Sequence, residues 1–240
     1  MRYTEVLNDR GPPWFGGERQ TEEGVMILTL IGMSGAGKSF LAGKCAAHGF
    51  AVIDCDAQIA ARLGQLVGPV GSTLEEVGAW MGLPHQDGFA EREAAFRACE
   101  QQVLADALGQ AERHRQAGRD CLIDTGGSVI YADAALLERM RQRSTVIYLH
   151  TPDTILPQML SAYLAQPRPV VWHGAFEQRP GEPLEEAYRR SYASLIAQRQ
   201  QRYAQLAQIT LEYGAYRGSE LAAQDLLRVV REWEEVQGAR

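Results

Sequence analysis

The sequence predicts an α/β fold organised around a phosphate-binding loop, and three observations predict it. The stretch Gly32-Met33-Ser34-Gly35-Ala36-Gly37-Lys38-Ser39 fits G-x-x-x-x-G-K-[ST] with no mismatch. It lies between a short β-branched apolar run, Val25 to Ile31, and a helical pattern from Lys38 to His48. Four more apolar runs follow, separated by helical patterns, so the chain reads as five βα units, each wanting a right-handed crossover.

A strand, a glycine loop and a helix together make a phosphate cradle. The glycines let backbone N–H groups close on phosphate oxygens, at the positive end of a helix. Lys38 adds a point charge at the β and γ phosphates, and the Ser39 hydroxyl is placed to ligate Mg²⁺.

Composition narrows the class. The chain has 240 residues, 45% of them apolar, enough for a sizeable core in one or two domains. A net charge of −6 argues against a broad nucleic-acid surface. No run approaches 18 apolar residues, so no membrane partner is expected. Residues 1–24 read as a flexible tail, or as a strap packing Trp14 and Phe15 on the domain; with no apolar stretch, they do not read as a secretory signal. Cys45, Cys55, Cys99 and Cys121 are scattered, which suits reduced thiols in a cytoplasmic protein.

Taken in order, Phe50 to Ile53 is the second strand and delivers Asp54 and Asp56 to the sheet edge where ligands sit in open α/β folds. Two residues apart on an extended strand, both carboxylates share a face. Asp54 would hold a metal-bound water and Asp56 a substrate hydroxyl; the alternative is that they cap a helix starting near Ala57. Gln58 to Leu63 reads as a short helix, and Ser72 to Met81 as another with a Ser72/Glu75 capping box.

A long helix spans about Phe89 to Gly109, with Arg97 at the edge of its apolar stripe and Glu93 and Glu100 within helical reach. That arginine either snorkels to water or faces a site. Cys121 to Ile123 is the third strand and ends in Asp124, a metal-orienting position, before the turn Thr125-Gly126-Gly127-Ser128. A helix from Asp133 to Arg141 and a strand from Thr145 to Leu149 follow, then a helix opened by Thr151-Pro152-Asp153. Residues 166–183 are rich in Pro, Gly and Arg and suit a mobile lid loop or a plain linker.

The helix from Glu182 to Gln205 puts Arg199 at the centre of its apolar stripe, so that charge either faces an anion-binding cleft or pairs with a buried acid. Gln208 to Leu211 is the fifth strand, Tyr213 to Gly218 a loop, and Ser219 a cap for the last helix.

From about Val25 to Val230 the chain resembles the shikimate kinases, small-molecule kinases of the nucleoside-monophosphate-kinase-like group. The resemblance is carried by the loop Gly32 to Ser39, the phrases Val52-Ile53-Asp54-Cys55-Asp56 and Phe96-Arg97-Ala98-Cys99-Glu100, the turn Thr125-Gly126-Gly127, and Arg199 four before Tyr203. It implies a three-layer α/β/α domain at 25–240 with a five-stranded parallel sheet ordered 2-3-1-4-5, a substrate-binding helical region at 57–118 and a lid at 166–183. It implies transfer of the γ-phosphoryl of Mg·ATP to a hydroxyl of shikimate.

In that scheme Gly35, Ala36, Gly37, Lys38, Ser39 and Phe40 hold ATP, and Ser39, Asp54 and Asp124 serve the metal. Asp56, Arg97, Gly126, Gly127 and Arg199 bind shikimate, while Lys38, Asp56 and a lid arginine act in catalysis. Both Arg168 and Arg179 precede a proline; Arg168 is the preferred lid arginine because Val170-Val171-Trp172 supplies the expected apolar follow-on, while spacing to Arg199 favours Arg179. Ala60 stands where the family has glutamate, Ser128 where it has a third glycine, and both the stretch from Asp56 to Arg97 and the lid are longer. The chain is expected to act as a monomer. The alternatives are a kinase for another anionic hydroxy acid such as gluconate, or a nucleotide-binding regulator without turnover.

Overall fold

A computed structural model describes residues 24–66, 73–166, 168–217 and 223–238. Five parallel strands form one sheet: β1 (Ile27–Gly32), β2 (Ala51–Asp54), β3 (Cys121–Asp124), β4 (Thr145–Leu149) and β5 (Ile209–Leu211), in the order β2-β3-β1-β4-β5. Strands covered by helices on both faces should be apolar throughout rather than alternating. Accordingly every residue of β1, β3 and β4 is buried. Register sets the site: Asp54 at the end of β2 pairs with Asp124 at the end of β3, and Leu30 of β1 pairs with Asp124 from the other side.

The helices among the described residues are α1 (Lys38–Ala46), α2 (Cys55–Leu66), α3 (Leu74–Met81), α4 (Phe89–Gln116), α5 (Ala134–Arg143), α6 (Leu156–Ala165), α7 (Leu184–Leu206), α8 (Tyr213–Arg217) and α9 (Ala223–Gly238). α2, α3 and α4 pack on one another and build the stretch between the second strand and the third. α4 runs seven residues beyond its expected end and stops where Arg113, His114 and Arg115 complement the helix C-terminus.

Three local expectations are corrected. The capping box of α3 sits one residue later: the Thr73 side chain accepts from the Glu76 N–H while the Glu76 carboxylate takes the Thr73 N–H. The stretch from Tyr213 is a short helix rather than a loop, with the Tyr216 hydroxyl bonded to the His150 carbonyl at 2.8 Å. Residues 168–183 are not all a surface loop, because Val170, Val171 and Trp172 are buried in the core. The N-terminal tail or strap at 1–23, the Ser72 cap and the Ser219 cap fall outside the described residues. Among the described residues no helix is long and apolar enough to cross a membrane, and all four cysteines are free and buried.

Candidate active site

The loop between β1 and α1 is shaped as its glycines require. Gly37 caps α1 at φ 100°, a left-handed conformation that other residues adopt only at a cost. Lys38 is 6% exposed, and its Nζ donates to the carbonyls of Gly32 at 3.1 Å and Met33 at 3.0 Å. Backbone oxygens thus hold the ammonium at the mouth of the loop. Phe40 is 62% exposed, with Lys44 Nζ 4.8 Å above its ring. A cavity of about 430 Å³ opens here, lined by Gly35, Gly37, Lys38, Ser39, Asp54 and Asp56, with Leu74 of α3 and Arg168 across it.

Asp54 and Asp56 line this cavity, and Asp124, paired in register with Asp54, is buried behind them. Asp54 Oδ1 accepts the Ala57 N–H at 2.9 Å, so the helix-capping role falls to Asp54, and Asp56 lies one residue inside α2. Burial pushes the Asp56 carboxyl up to about 6; Lys38 opposes this, Asp124 and Asp54 add to it, and Arg168 opposes it. Burial also raises Asp124, against Lys38 and a hydrogen bond from Ser39. Asp124 Oδ1 is buried without a partner, an acceptor left open beside the Ser39 hydroxyl.

The turn after β3 joins this region to a second group of charges. Thr125 Oγ1 donates to the Leu30 carbonyl at 2.7 Å and ties the turn to β1. A Cβ on Gly126 would lie 2.5 Å from Glu100 Oε1 and 3.0 Å from Asp56 Oδ1, and one on Gly127 would lie 3.1 Å from the Ser34 nitrogen. The two glycines therefore touch the acidic pair on one side and the phosphate loop on the other.

Glu100 is a site residue to which sequence reasoning gave no role. It is 6% exposed and is pushed up to about 7, first by burial, with Asp56 adding to the rise and Ser128 and Arg199 opposing it. Ser128, in place of a third glycine, thus brings a hydroxyl near this acid. Ala60, in place of the family's glutamate, is buried beside Leu74 in the cavity wall, so an apolar surface replaces the acid there.

Of the two arginines, Arg199 meets this turn, and Arg97 lies near His173, as Arg199 also does. Arg199 is 2% exposed and donates to the Val171 and Gly127 carbonyls, and its Nε is buried without a partner among the described residues. Its guanidinium also lies 5.5 Å from the Tyr131 ring centroid, and the Tyr203 hydroxyl shares the Gly127 carbonyl. Arg97 Nε is likewise buried and unpartnered. Arg97 and Arg199 both lie close enough to His173 to hold that imidazole below its ordinary value, after burial. At the turn itself a buried donor, Arg199 Nε, and a buried acceptor, Glu100 Oε1, lack partners, which describes a place where a polar ligand completes the hydrogen bonding.

The lid arginines separate in space. Arg168 lines the cavities on both sides of Ser34 and Gly35 and pairs with Glu75 of α3 at 3.7 Å. Arg179 lies on an exposed turn, its N–H bonded to Glu182, whose carboxylate is engaged by Arg190.

The family model for shikimate kinase matches residues 75–230 of this chain. A shikimate kinase of Chlorobium chlorochromatii is 31% identical over 194 residues, 80% of this chain and 84% of that protein. One of Xanthomonas campestris is 28% identical over 207 residues, 86% and 93% of the two chains. Among solved structures, a shikimate kinase of Acinetobacter baumannii in complex with shikimate superposes with a TM-score of 0.52 at 21% identity, covering 90% of this chain and 96% of its own. The enzyme of Aquifex aeolicus gives 0.52 at 20% identity, covering 86% and 96%. These likenesses show a shared P-loop kinase fold.

Proposed function

The chain belongs to the shikimate kinase family, and from that premise we propose that it transfers the γ-phosphoryl group of ATP to a hydroxyl of shikimate, giving shikimate 3-phosphate and ADP. One observation carries the choice of acceptor: Arg199 meets the turn that touches Asp56 and the phosphate loop, Arg97 lies like it close to His173, and the Nε of each is buried and unpartnered. Two guanidinium groups so placed suit a carboxylate, held by charge-assisted hydrogen bonds, on a molecule whose hydroxyl reaches Asp56.

Phosphoryl transfer passes through a loose transition state, so positioning and charge neutralisation do most of the work. Lys38 releases the Gly32 and Met33 carbonyls and turns its ammonium to the terminal phosphates. Arg168 neutralises charge from the far side of the cavity. Asp56, with a carboxyl pushed up to about 6, is mostly ionised at neutral pH, accepts the hydroxyl's hydrogen bond and takes its proton. Gly126 and Gly127 let the acceptor lie against backbone. Residues 168–183 cover the site and exclude water, which suppresses hydrolysis of ATP.

The residues present fit Mg²⁺. The Ser39 hydroxyl and Asp124, with its open Oδ1, would hold it, and Asp54 would hold one of its waters. An ion held there would supply charge neutralisation for the terminal phosphates.

Four buried free cysteines suit a reducing cytoplasm. The test is ADP release from Mg·ATP over an acceptor panel of shikimate, quinate and gluconate. Stimulation by shikimate supports the reading. Stimulation by gluconate alone assigns another hydroxy acid, and ATP binding without any stimulation assigns a regulator.

A further inference from the structure

We propose that Glu93 is a positioning residue for the lid arginine: by fixing the backbone of Trp172 and His173 it holds Arg168 over the phosphate loop. The inference deepens the kinase reading and rests on it. Glu93 Oε1 accepts the N–H of Trp172 at 2.5 Å and that of His173 at 3.1 Å. From the other side Arg199 of α7 donates to the carbonyl of Val171. Two helices thus grip three consecutive residues by their main chain.

Packing completes the grip. Val171 and Trp172 are 0% and 1% exposed. The Trp172 ring meets Tyr163, Phe176, Tyr188 and Tyr192, and its Nε1–H donates to the Tyr163 hydroxyl at 3.1 Å. His173 takes φ 51°, a left-handed conformation that a non-glycine residue keeps only when its surroundings impose it. Arg168 lies four residues before Trp172, so its tether to this fixed point is short.

Glu93, Arg97 and Glu100 stand at i, i+4 and i+7 on α4 and share one face. That face meets the root of the lid with Glu93, the acceptor with Arg97, and the Gly126 turn with Glu100. A helix is stiff, so the distance between lid root and acceptor group is built in. Removing the Glu93 carboxylate leaves two main-chain donors without their acceptor. A glutamine there keeps a carbonyl oxygen able to accept both.

The experiment compares Glu93→Ala, Glu93→Gln, Arg168→Ala and the double variant Glu93→Ala/Arg168→Ala. Activity is read as shikimate-stimulated ADP release with Mg·ATP, and backbone order as amide hydrogen exchange at Trp172 and His173. Glu93→Ala is expected to lower kcat on the order of tenfold to a hundredfold, the cost of a small misplacement of a catalytic group, with the shikimate KM little changed. Glu93→Gln restores most of it, and the double variant is no slower than Arg168→Ala alone. Exchange at the two amides speeds up in Glu93→Ala and not in Glu93→Gln. Additive losses in the double variant, an unchanged kcat, or exchange indifferent to Glu93 overturns the inference. A wild-type enzyme that ignores shikimate overturns the substrate reading instead; exchange with and without Mg·ATP then decides the anchor by itself.

Discussion

Glu100 and Gly126 lie so close that a methyl group has no room between them: a Cβ on Gly126 would sit 2.5 Å from Glu100 Oε1. The backbone of the turn is thereby laid against two carboxyl groups, since Asp56 Oδ1 is 3.0 Å from the same point. Gly126→Ala must push both acids away. It is expected to lower kcat/KM for shikimate on the order of a hundredfold and to destabilise the fold by about 1–3 kcal/mol through overpacking. Steady-state kinetics at saturating ATP and urea unfolding measure the two effects; an unchanged shikimate KM would count against the turn as an acceptor wall.

Arg199→Ala separates an acceptor ligand from a structural arginine. A charge-assisted hydrogen bond is worth about 1.5–3 kcal/mol, so the shikimate KM should rise roughly tenfold to a hundredfold while that for ATP moves far less. Arg199→Lys should not restore it, because an ammonium cannot keep the Gly127 and Val171 carbonyls and still present a fork. Equal effects on both Michaelis constants would make the residue structural.

Arg168 and Arg179 should differ sharply. Arg168 lines the phosphate cavity and Arg179 does not, so Arg168→Ala should cost on the order of a hundredfold or more in kcat. Arg179→Ala should leave kcat near wild type. The reverse result would move the lid's closing point to the outer turn.

Activity should fall in acid as Asp56 protonates. Its carboxyl titrates at about 6, so log kcat/KM is expected to decline below that pH and to level off above it, until other groups intervene. A profile flat down to pH 5 would remove Asp56 as the proton acceptor.

Stability should respond to Glu100 in the opposite sense. Its folded value, about 7, exceeds its ordinary 4.5, so between those values the folded state binds more protons than the unfolded state. This group's contribution is complete below the ordinary value and is lost as pH rises through about 7. Glu100→Gln should therefore raise the melting temperature relative to wild type more at pH 8 than at pH 5. An equal difference at both pH values would mean that Glu100 titrates normally.

Much of this was legible because it is local. The loop motif, the five apolar runs and the carboxylates at strand ends depend on neighbours in sequence, and the two arginines declared themselves by sitting on apolar stripes. What escaped depends on partners far along the chain. Glu93 looks like a helical neighbour of Arg97, yet its oxygen serves the main chain of Trp172, 79 residues away. Arg199 offered a choice between an anion and a buried acid, and neither alternative foretold the two main-chain carbonyls that hold its guanidinium. Trp172 reads as part of a polar, proline-rich loop until an aromatic cluster from α6 and α7 encloses it. The cap of α3 slipped by one residue because Ser72 and Thr73 offer the same chemistry and only geometry chooses.

One guanidinium, that of Arg199, touches the lid through Val171 and the phosphate-loop neighbourhood through Gly127. Anything that draws on it is felt in both places at once. Thermodynamic reciprocity makes the influence mutual: if an incoming carboxylate eases those two carbonyls and changes the affinity for ATP by some factor, ATP changes the affinity for the carboxylate by the same factor.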